Sequence, residues 1–284
     1  MLAVDIGGTK LAAAVVDSAG RMIDRRSAPT PRSADATELW DALSALLGAV
    51  GDVEACGVGC GGPMTAGGEA VSPLNISGWR GFPLRARLAA RLGVPVWVDN
   101  DAKALALGEG WLGAAAGWRD FLAMVVSTGV GGGIVLDGRL LDGAAGNAGH
   151  IGHVIVVPDG PSCACGGRGC LEAVASGLSI ERATGRPAAD APTSVRRATG
   201  ELVGRAVASV ANLLDLRLAV VAGSVALGYG ADFFDAAQEE VDRSARLDHS
   251  RGTRVVAAGL GDAGPLVGAA AVAYRSLGHP ILSA

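Results

Sequence analysis

The chain has few charged residues and no long apolar run. Among its 284 residues, lysine and arginine number 24 and aspartate and glutamate 28, which gives a formal net charge of -4. This balance does not supply the basic surface with which most nucleic-acid-binding proteins hold phosphates, so we expect no nucleic-acid partner. The uncharged stretch over residues 121–136 is shorter than the ~20 apolar residues that span a bilayer, and glycines interrupt it. We therefore expect no membrane association.

The composition also excludes disorder and gives no sign of export. Charged residues make up 18% of the chain and hydrophobic residues 50%, which suits a compact protein with a large core. The first ten residues include an aspartate at position 5 and lack the basic, apolar and small-residue zones of a signal peptide. We therefore expect a cytoplasmic protein.

Glycine is the abundant residue, and its placement follows a repeated pattern. The chain has 44 glycines, about twice the average share of ~7%. Gly7 and Gly8 separate two short apolar runs, and a second glycine-rich segment at residues 127–133 follows another apolar run in the same way. Each copy is followed by a segment of helical character, Ala36–Leu47 and residues 201–216. The pattern predicts an internal duplication of one α/β unit.

Such a duplication indicates two lobes, each with a mixed sheet and helices, that face each other across a ligand-binding cleft. We assign residues 1–112 and 270–284 to a smaller lobe and residues 113–269 to a larger one. The fold class expected is therefore α/β, with the duplicated two-lobed architecture.

Both glycine-rich segments are candidates for phosphate binding. Thr9 and Lys10 stand beside the first and Ser127 and Thr128 begin the second, and backbone N–H groups, hydroxyls and an ammonium bind anionic oxygens. Either segment alone is equally well explained as a plain β-hairpin. Neither matches the P-loop or the dinucleotide fingerprint, and the pair favours a nucleotide cleft of the actin, hexokinase and sugar-kinase type.

A Cys₃His set lies between residues 153 and 170. His153, Cys163, Cys165 and Cys170 have the types and number of ligands of a closed tetrahedral zinc site. The alternative is one disulfide and a spare thiol, which a cytoplasmic chain disfavours. We expect a structural Zn²⁺ that orders the segment carrying His153 and Glu172. Cys56 and Cys60 are expected to be small core residues.

The sequence Val-Asp-Asn-Asp at residues 98–101 ends an apolar run and precedes a helical stretch at residues 102–111. A carboxylate in this position either caps the helix or serves catalysis. Phosphoryl transfer requires a base for the acceptor hydroxyl and a magnesium ion for charge neutralisation. Asp101 is the candidate base and Asp5 the candidate ligand of Mg²⁺.

Several motifs in a fixed order resemble the ROK family of sugar kinases and related repressors. They are DIGGTK at 5–10, GCGGPM at 59–64, LNISGW at 74–79, VDNDAKALALGE at 98–109, STGVGGGI at 127–134, and GHIGHV with CACGGRGCLE within 149–172. The resemblance extends over nearly the whole chain. It implies a ribonuclease-H-like fold of the actin and hexokinase type, ATP as phosphoryl donor, and a homodimer or homotetramer.

The resemblance also implies roles for individual residues. Asp101 would be the general base for the 6-hydroxyl of a glucose-like hexose. The sugar would contact Gly62, Asn75, Asn100, Asp101, His150, His153 and Glu172. ATP with Mg²⁺ would contact Asp5, Gly8, Thr9, Lys10, Thr128, Gly129, Gly223 and Ser224. Zinc would be bound by His153, Cys163, Cys165 and Cys170.

His150 departs from the family pattern, which has glutamate there. A carboxylate only accepts hydrogen bonds, whereas a neutral imidazole donates one and accepts one, so hydroxyl recognition near the anomeric end of the sugar is expected to differ. An amino-hexose such as kanosamine, or a sugar-like C7-cyclitol, is therefore an alternative substrate, although the replacement is also consistent with neutral drift. A non-catalytic sugar-sensing regulator is a second alternative. It is disfavoured because family repressors carry a winged helix-turn-helix before the DxGGT motif, which begins here at residue 5.

Overall fold

The computed structural model describes residues 1–282 of the chain as two compact units. Unit 1 contains Met1–Gly117, Leu140–Ala148 and the chain from Leu260 onward, and unit 2 contains Trp118–Arg139 and Gly149–Gly259. Each unit has its own hydrophobic core. Within residues 1–282, no helix is long and apolar enough to cross a membrane.

Within residues 1–282, ten strands form two five-stranded sheets. The strands are β1 (Leu2–Ile6), β2 (Lys10–Val16), β3 (Met22–Pro29), β4 (Cys56–Cys60), β5 (Val96–Asn100), β6 (Phe121–Val126), β7 (Val130–Leu136), β8 (Arg139–Leu140), β9 (Leu218–Ala222) and β10 (Arg254–Ala257). The first sheet has the order β3-β2-β1-β4-β5 and the second the order β8-β7-β6-β9-β10. In both, an antiparallel hairpin is followed by one strand that pairs in parallel with the first strand of the hairpin and by a further strand parallel to that one. The shared order confirms the predicted duplication.

The described part of the chain contains the α-helices α1 (Ala36–Leu47), α2 (Leu84–Leu92), α3 (Asp101–Leu112), α4 (Leu171–Ala175), α5 (Gly177–Thr184), α6 (Thr193–Leu214), α7 (Ser224–Tyr229), α8 (Ala231–Ser244) and α9 (Gly264–Ser276). Helix α1 has the bounds predicted from the sequence. Its leucines at positions 39, 43 and 47 are spaced four residues apart and all face the core. Asp35 caps the helix by accepting the N–H of Thr37 at 2.8 Å.

The second glycine-rich segment differs from the expectation of a loop. Its glycines at 131–133 belong to strand β7, and only residues 127–129 form the hairpin turn. A Cβ atom on Gly132 would come within 2.8 Å of the Ile151 side chain and 3.1 Å of the Gly149 carbonyl. These glycines therefore let the backbone around His150 approach the strand closely.

The unit boundaries also differ from the sequence-based division. Residues 113–117, 140–148 and 260–269 were assigned to the second lobe, whereas in the structure they pack within unit 1. One cause is that α9 begins at Gly264 and packs along its length against α3 and β4. Another is that Asp142 and Gly146 bind the buried ammonium of Lys103.

Candidate active site

Two carboxylates come together where the parallel strands of unit 1 end. Strands β1, β4 and β5 are in register, with Asp5 opposite Gly59 and Gly59 opposite Asp99. A Cβ atom on Gly59 would lie 3.6 Å from the Cα of Asp101 and 3.7 Å from Oδ1 of Asp5. The carboxyl ends of parallel strands are the usual location of ligand sites in α/β folds.

This proximity raises the proton affinity of Asp5. Burial and, as the second cause, the negative charge of Asp101 together raise the pKa of Asp5 to about 7, and the positive charge of Lys10 opposes the shift. Burial also raises the pKa of Asp101, against the hydrogen bond that its carboxylate accepts from Ala102. A buried carboxylate pair is electrostatically unfavourable when ionised, so a divalent cation beside Asp5 would stabilise it. The donor chemistry therefore fits Mg²⁺.

Asn100, and not Asp101, caps helix α3. Its side-chain oxygen accepts the N–H groups of Ala102 at 3.0 Å and Lys103 at 3.4 Å. Asp101 is the first residue of the helix, and its Oδ1 accepts the N–H of Ala102 at 2.9 Å. The N-cap of the helix is therefore Asn100, and Asp101 is not needed for that role.

The turn between β1 and β2 is held by a residue that the motifs did not reveal. Gly7 donates its N–H to the carbonyl of Lys10 at 3.0 Å, which closes the turn. The buried Thr30 accounts for two more bonds, because its hydroxyl donates to Gly7 O at 2.7 Å and its N–H to Thr9 O at 3.1 Å. Thr9 and Lys10 remain exposed. Thr30 lies at the end of β3, outside any motif, so only the three-dimensional pairing identifies it.

The same turn lies against the segment that carries Asn75. A Cβ atom on Gly8 would come 3.0 Å from Cβ of Asn75 and 3.3 Å from its carbonyl oxygen. The N–H of Leu74 donates to the carbonyl of Gly62 at 3.1 Å. Unit 1 therefore brings together Gly8, Gly62 and Asn75.

The segment after Asn75 is fixed by aromatic packing. Trp79 stacks on Phe82 with ring centroids 4.3 Å apart and donates its indole N–H to Ala36 O at 3.2 Å. The Arg80 guanidinium donates to the carbonyls of Pro73, Ile76 and Trp79. These bonds hold Asn75 in one place relative to helix α1.

In unit 2 the hairpin turn at residues 127–129 lies beside the start of α7. Ser127 donates its N–H to Gly129 O at 2.9 Å, and its hydroxyl is 2.9 Å from that of Ser224. Its carbonyl accepts the N–H of Gly177 at 2.7 Å. The structure thus places the turn at residues 127–129 beside Ser224.

The four predicted zinc ligands converge. Their ligand atoms all lie within 4.8 Å of one another, with His153 Nδ1 3.7 Å from the Cys163 sulfur and the Cys165 and Cys170 sulfurs 3.8 Å apart. A tetrahedral zinc with Zn–S bonds of ~2.3 Å places its thiolates about 3.8 Å apart. All five cysteines are free, so the disulfide alternative is wrong. Burial, followed by hydrogen bonds with the other thiols, raises the pKa of Cys170 to about 12 in the metal-free chain.

His150 and Glu172 lie near this cluster. The rings of His150 and His153 have centroids 6.0 Å apart, and His150 is exposed. Helix α4 begins directly after Cys170, and its Glu172 accepts the N–H of Val130, the residue that follows Gly129. Helix α4 therefore links the cysteine cluster, through Glu172, to the end of the turn at residues 127–129. With zinc on Nδ1 of His153, the other ring nitrogen would be available to a ligand.

Comparison with known proteins agrees with this arrangement. A family model described as "ROK family" matches residues 1–276. An N-acetylmannosamine kinase of Citrobacter koseri is 40% identical over 246 residues, which are 81% of this chain and 84% of that protein. The corresponding enzyme of Escherichia coli O157:H7 is also 40% identical over 246 residues, with the same coverage.

Two solved structures are similar over nearly their whole length. A ROK family glucokinase from Streptomyces griseus, in complex with glucose and AMPPNP, has 34% identity and a TM-score of 0.83, covering 95% of this chain and 97% of that one. A ROK hexokinase from Thermus thermophilus has 36% identity and a TM-score of 0.82, covering 98% of both chains. These similarities confirm the predicted actin-like, ribonuclease-H-like fold.

Proposed function

The chain belongs to the ROK family and is an ATP-dependent sugar kinase, and we propose that it phosphorylates the primary hydroxyl of N-acetylmannosamine. The observation that carries this choice of sugar is the 40% identity to N-acetylmannosamine kinases over 81% of the chain. His150 also supports it, because an imidazole offers both a donor and an acceptor to a substrate whose polar groups differ from those of glucose.

In the proposed reaction Asp101 is the general base. Its carboxylate accepts the proton of the sugar 6-hydroxyl while that oxygen bonds to the γ-phosphorus of ATP. The bond from the γ-phosphorus to the oxygen that bridges to the β-phosphate breaks, and ADP leaves. The raised pKa of Asp101 makes it a stronger base than an exposed aspartate.

Asp5 is the proposed ligand of Mg²⁺. When bound, the ion would neutralise charge on the phosphate oxygens. The raised pKa of Asp5 supports this assignment, because a cation relieves the repulsion between Asp5 and Asp101.

The two hairpin turns are the proposed phosphate sites. Gly8, Thr9 and Lys10 would bind phosphate oxygens at the first turn, and Thr128 and Gly129 at the second, through N–H groups, hydroxyls and the Lys10 ammonium. Gly223 and Ser224 would contact the adenosine side. The hydrogen bond between the Ser127 and Ser224 hydroxyls supports this grouping.

The proposed sugar contacts come from two groups of residues. One group is Gly62, Asn75, Asn100 and Asp101, and the other is His150, His153 and Glu172. We propose that a structural Zn²⁺ on His153, Cys163, Cys165 and Cys170 orders the second group, because helix α4 and Glu172 directly follow the last thiol. A homodimer or homotetramer and the absence of nucleic-acid and membrane partners stay predictions.

Glucose is the second candidate, favoured by the similarity to a glucokinase solved with glucose. A coupled ADP-release assay distinguishes the candidates when it compares N-acetylmannosamine, N-acetylglucosamine, mannose, glucosamine, glucose, kanosamine and C7-cyclitols. We expect the highest kcat/KM for N-acetylmannosamine. A higher kcat/KM for glucose would overturn the proposed substrate. If none of the sugars in the set supported ADP release, the proposed function would be overturned.

A further inference from the structure

Helix α3 carries a buried lysine two residues after Asp101. The side chain of Lys103 is 3% exposed, and its ammonium lies 3.0 Å from Asp99 Oδ1, 2.8 Å from Asp142 Oδ1 and 3.2 Å from the carbonyl of Gly146. Asp142 also accepts a bond from Arg275 at 3.1 Å. Lysine is almost never buried unless paired, and here three acceptors match its three protons. The ammonium is therefore fixed in position.

On one side, Lys103 stabilises the turn from β5 into α3. Asp99 Oδ1 also accepts the N–H of Asn100 at 2.8 Å. The same carboxylate oxygen therefore bonds both the Lys103 ammonium and the backbone N–H of the residue before Asp101. Burial raises the pKa of Asp99 while Lys103 opposes the shift. Without the ammonium, a buried carboxylate would be left unpaired at the base of this turn.

On the other side, Lys103 holds the segment Leu140–Ala148. This segment is closed on itself by a bond from the Ala148 N–H to Asp142 O at 3.0 Å. Its Asn147 donates to Met64 O at 3.1 Å and accepts the N–H of Met64 at 3.3 Å. Met64 is two residues after Gly62, so the segment braces the loop that contains Gly62.

We propose that Lys103 is a positioning residue for sugar binding, which ties the turn carrying Asn100 and Asp101 to the Gly62 loop through Leu140–Ala148. The proposal rests on the proposed function, since those residues are its sugar contacts. Misplacement of contact groups by about 1 Å can cost up to ~10²-fold in catalysis. Loss of the tie should therefore weaken sugar binding more than ATP binding, because neither Lys103 nor Asp142 lies on a phosphate turn.

The test compares Lys103→Met, Asp142→Asn and Asn147→Ala with Glu109→Gln as the matched control. Glu109 is fully buried on the same helix, but it accepts the N–H groups of Ala114 and Leu260 at the opposite end. The sugar Kd is measured by calorimetry without nucleotide, and KM for ATP and kcat are measured by ADP release. Amide exchange over residues 61–65 and 140–148 gives a readout that needs no substrate.

We expect the three test variants to raise the sugar Kd about tenfold while KM for ATP stays within about twofold of wild type. Amide exchange in both segments should accelerate in Lys103→Met and not in Glu109→Gln, which should lower Tm alone. Lys103→Met combined with Asn147→Ala should be no weaker in sugar binding than Lys103→Met alone, because both act through one segment.

Unchanged amide exchange in Lys103→Met overturns the inference whatever the substrate is. A sugar Kd within twofold of wild type in all three variants also overturns it, as do fully additive effects in the double variant. If Lys103→Met does not fold, Asp142→Asn and Asn147→Ala decide the matter. Wild-type protein that binds no sugar would instead refute the proposed function. The amide-exchange data would then still test whether Lys103 connects the two segments.

Discussion

Gly8 lies so close to Asn75 that a Cβ atom on Gly8 would come 3.0 Å from Cβ of Asn75. The turn proposed to bind phosphate, which contains Gly8, thus lies directly beside the segment proposed to bind sugar, which contains Asn75. An added methyl group at Gly8 must displace Asn75 by a few tenths of an ångström.

We expect Gly8→Ala to raise KM for both ATP and sugar, each by about tenfold, because small displacements of positioned groups are costly in catalysis. Gly51→Ala is the control, since nothing lies within 4 Å of a Cβ atom at Gly51. Steady-state kinetics of both variants provide the measurement. A change confined to KM for ATP would show that the contact does not transmit the displacement to Asn75.

Removal of the proposed base should abolish turnover and leave binding intact. Asp101→Asn keeps the shape of the side chain but cannot accept the sugar proton, so kcat should fall by roughly 10²–10⁴-fold. Calorimetry should give a sugar Kd close to that of wild type. A nearly normal kcat would show that another group accepts the proton.

Asp5 makes the stability of the metal-free protein pH-dependent. Its pKa is raised from an ordinary value of 3.8 to about 7, first by burial and then by Asp101. The folded state therefore binds a proton more tightly than the unfolded state, and the stabilisation is full below pH ~4 and lost as the pH rises through about 7. The contribution is at most roughly 4 kcal/mol.

Asp5→Asn should remove this dependence. Without Mg²⁺, Tm of the wild-type protein should fall between pH 4.5 and 8, and Tm of the variant should fall less over the same range. Added Mg²⁺ should raise the wild-type Tm most at the high end of the range and that of the variant little. Parallel Tm curves for the two proteins would contradict the raised pKa of Asp5.

Zinc and sugar affinity should be lost together. We expect about one zinc ion per chain, and Cys165→Ser should lose the metal and weaken sugar binding because the segment with His153 and Glu172 is no longer ordered. Cys56→Ala is the control, since Cys56 is a buried core residue of β4. Metal analysis and calorimetry on both variants check this. A zinc-free variant with wild-type sugar affinity would show that zinc is not needed for sugar binding.

The motifs predicted the elements that carry the candidate site, and tertiary packing decided the remainder. Helix α1 was predicted to the residue because its leucine spacing and its Asp35 cap are both local signals. The glycines at 131–133 suggested a loop but form part of β7, where Gly132 leaves room for the close approach of Ile151. The role of Lys103 was not predicted, since of its three partners only Asp99 lies nearby, four residues earlier, whereas Asp142 and Gly146 lie about 40 residues away in the sequence.

His150 offers a test of substrate selectivity. His150→Glu replaces a donor and acceptor by an acceptor alone, and an unpaired polar partner costs about 1–3 kcal/mol, or roughly 5–150-fold in kcat/KM. We expect the variant to lose activity on N-acetylmannosamine and to gain relative activity on glucose. His150→Gln, which keeps both a donor and an acceptor, should lose less. An unchanged ranking of sugars would identify the histidine as neutral drift.

Transfer of phosphate to the primary hydroxyl of N-acetylmannosamine is tested most directly by kcat/KM for this sugar against glucose, with the product identified by phosphorus NMR. We expect a higher kcat/KM for N-acetylmannosamine and a product phosphorylated at the 6-position, with no product from Asp101→Asn. A preference for glucose, or phosphate on another hydroxyl, would contradict it.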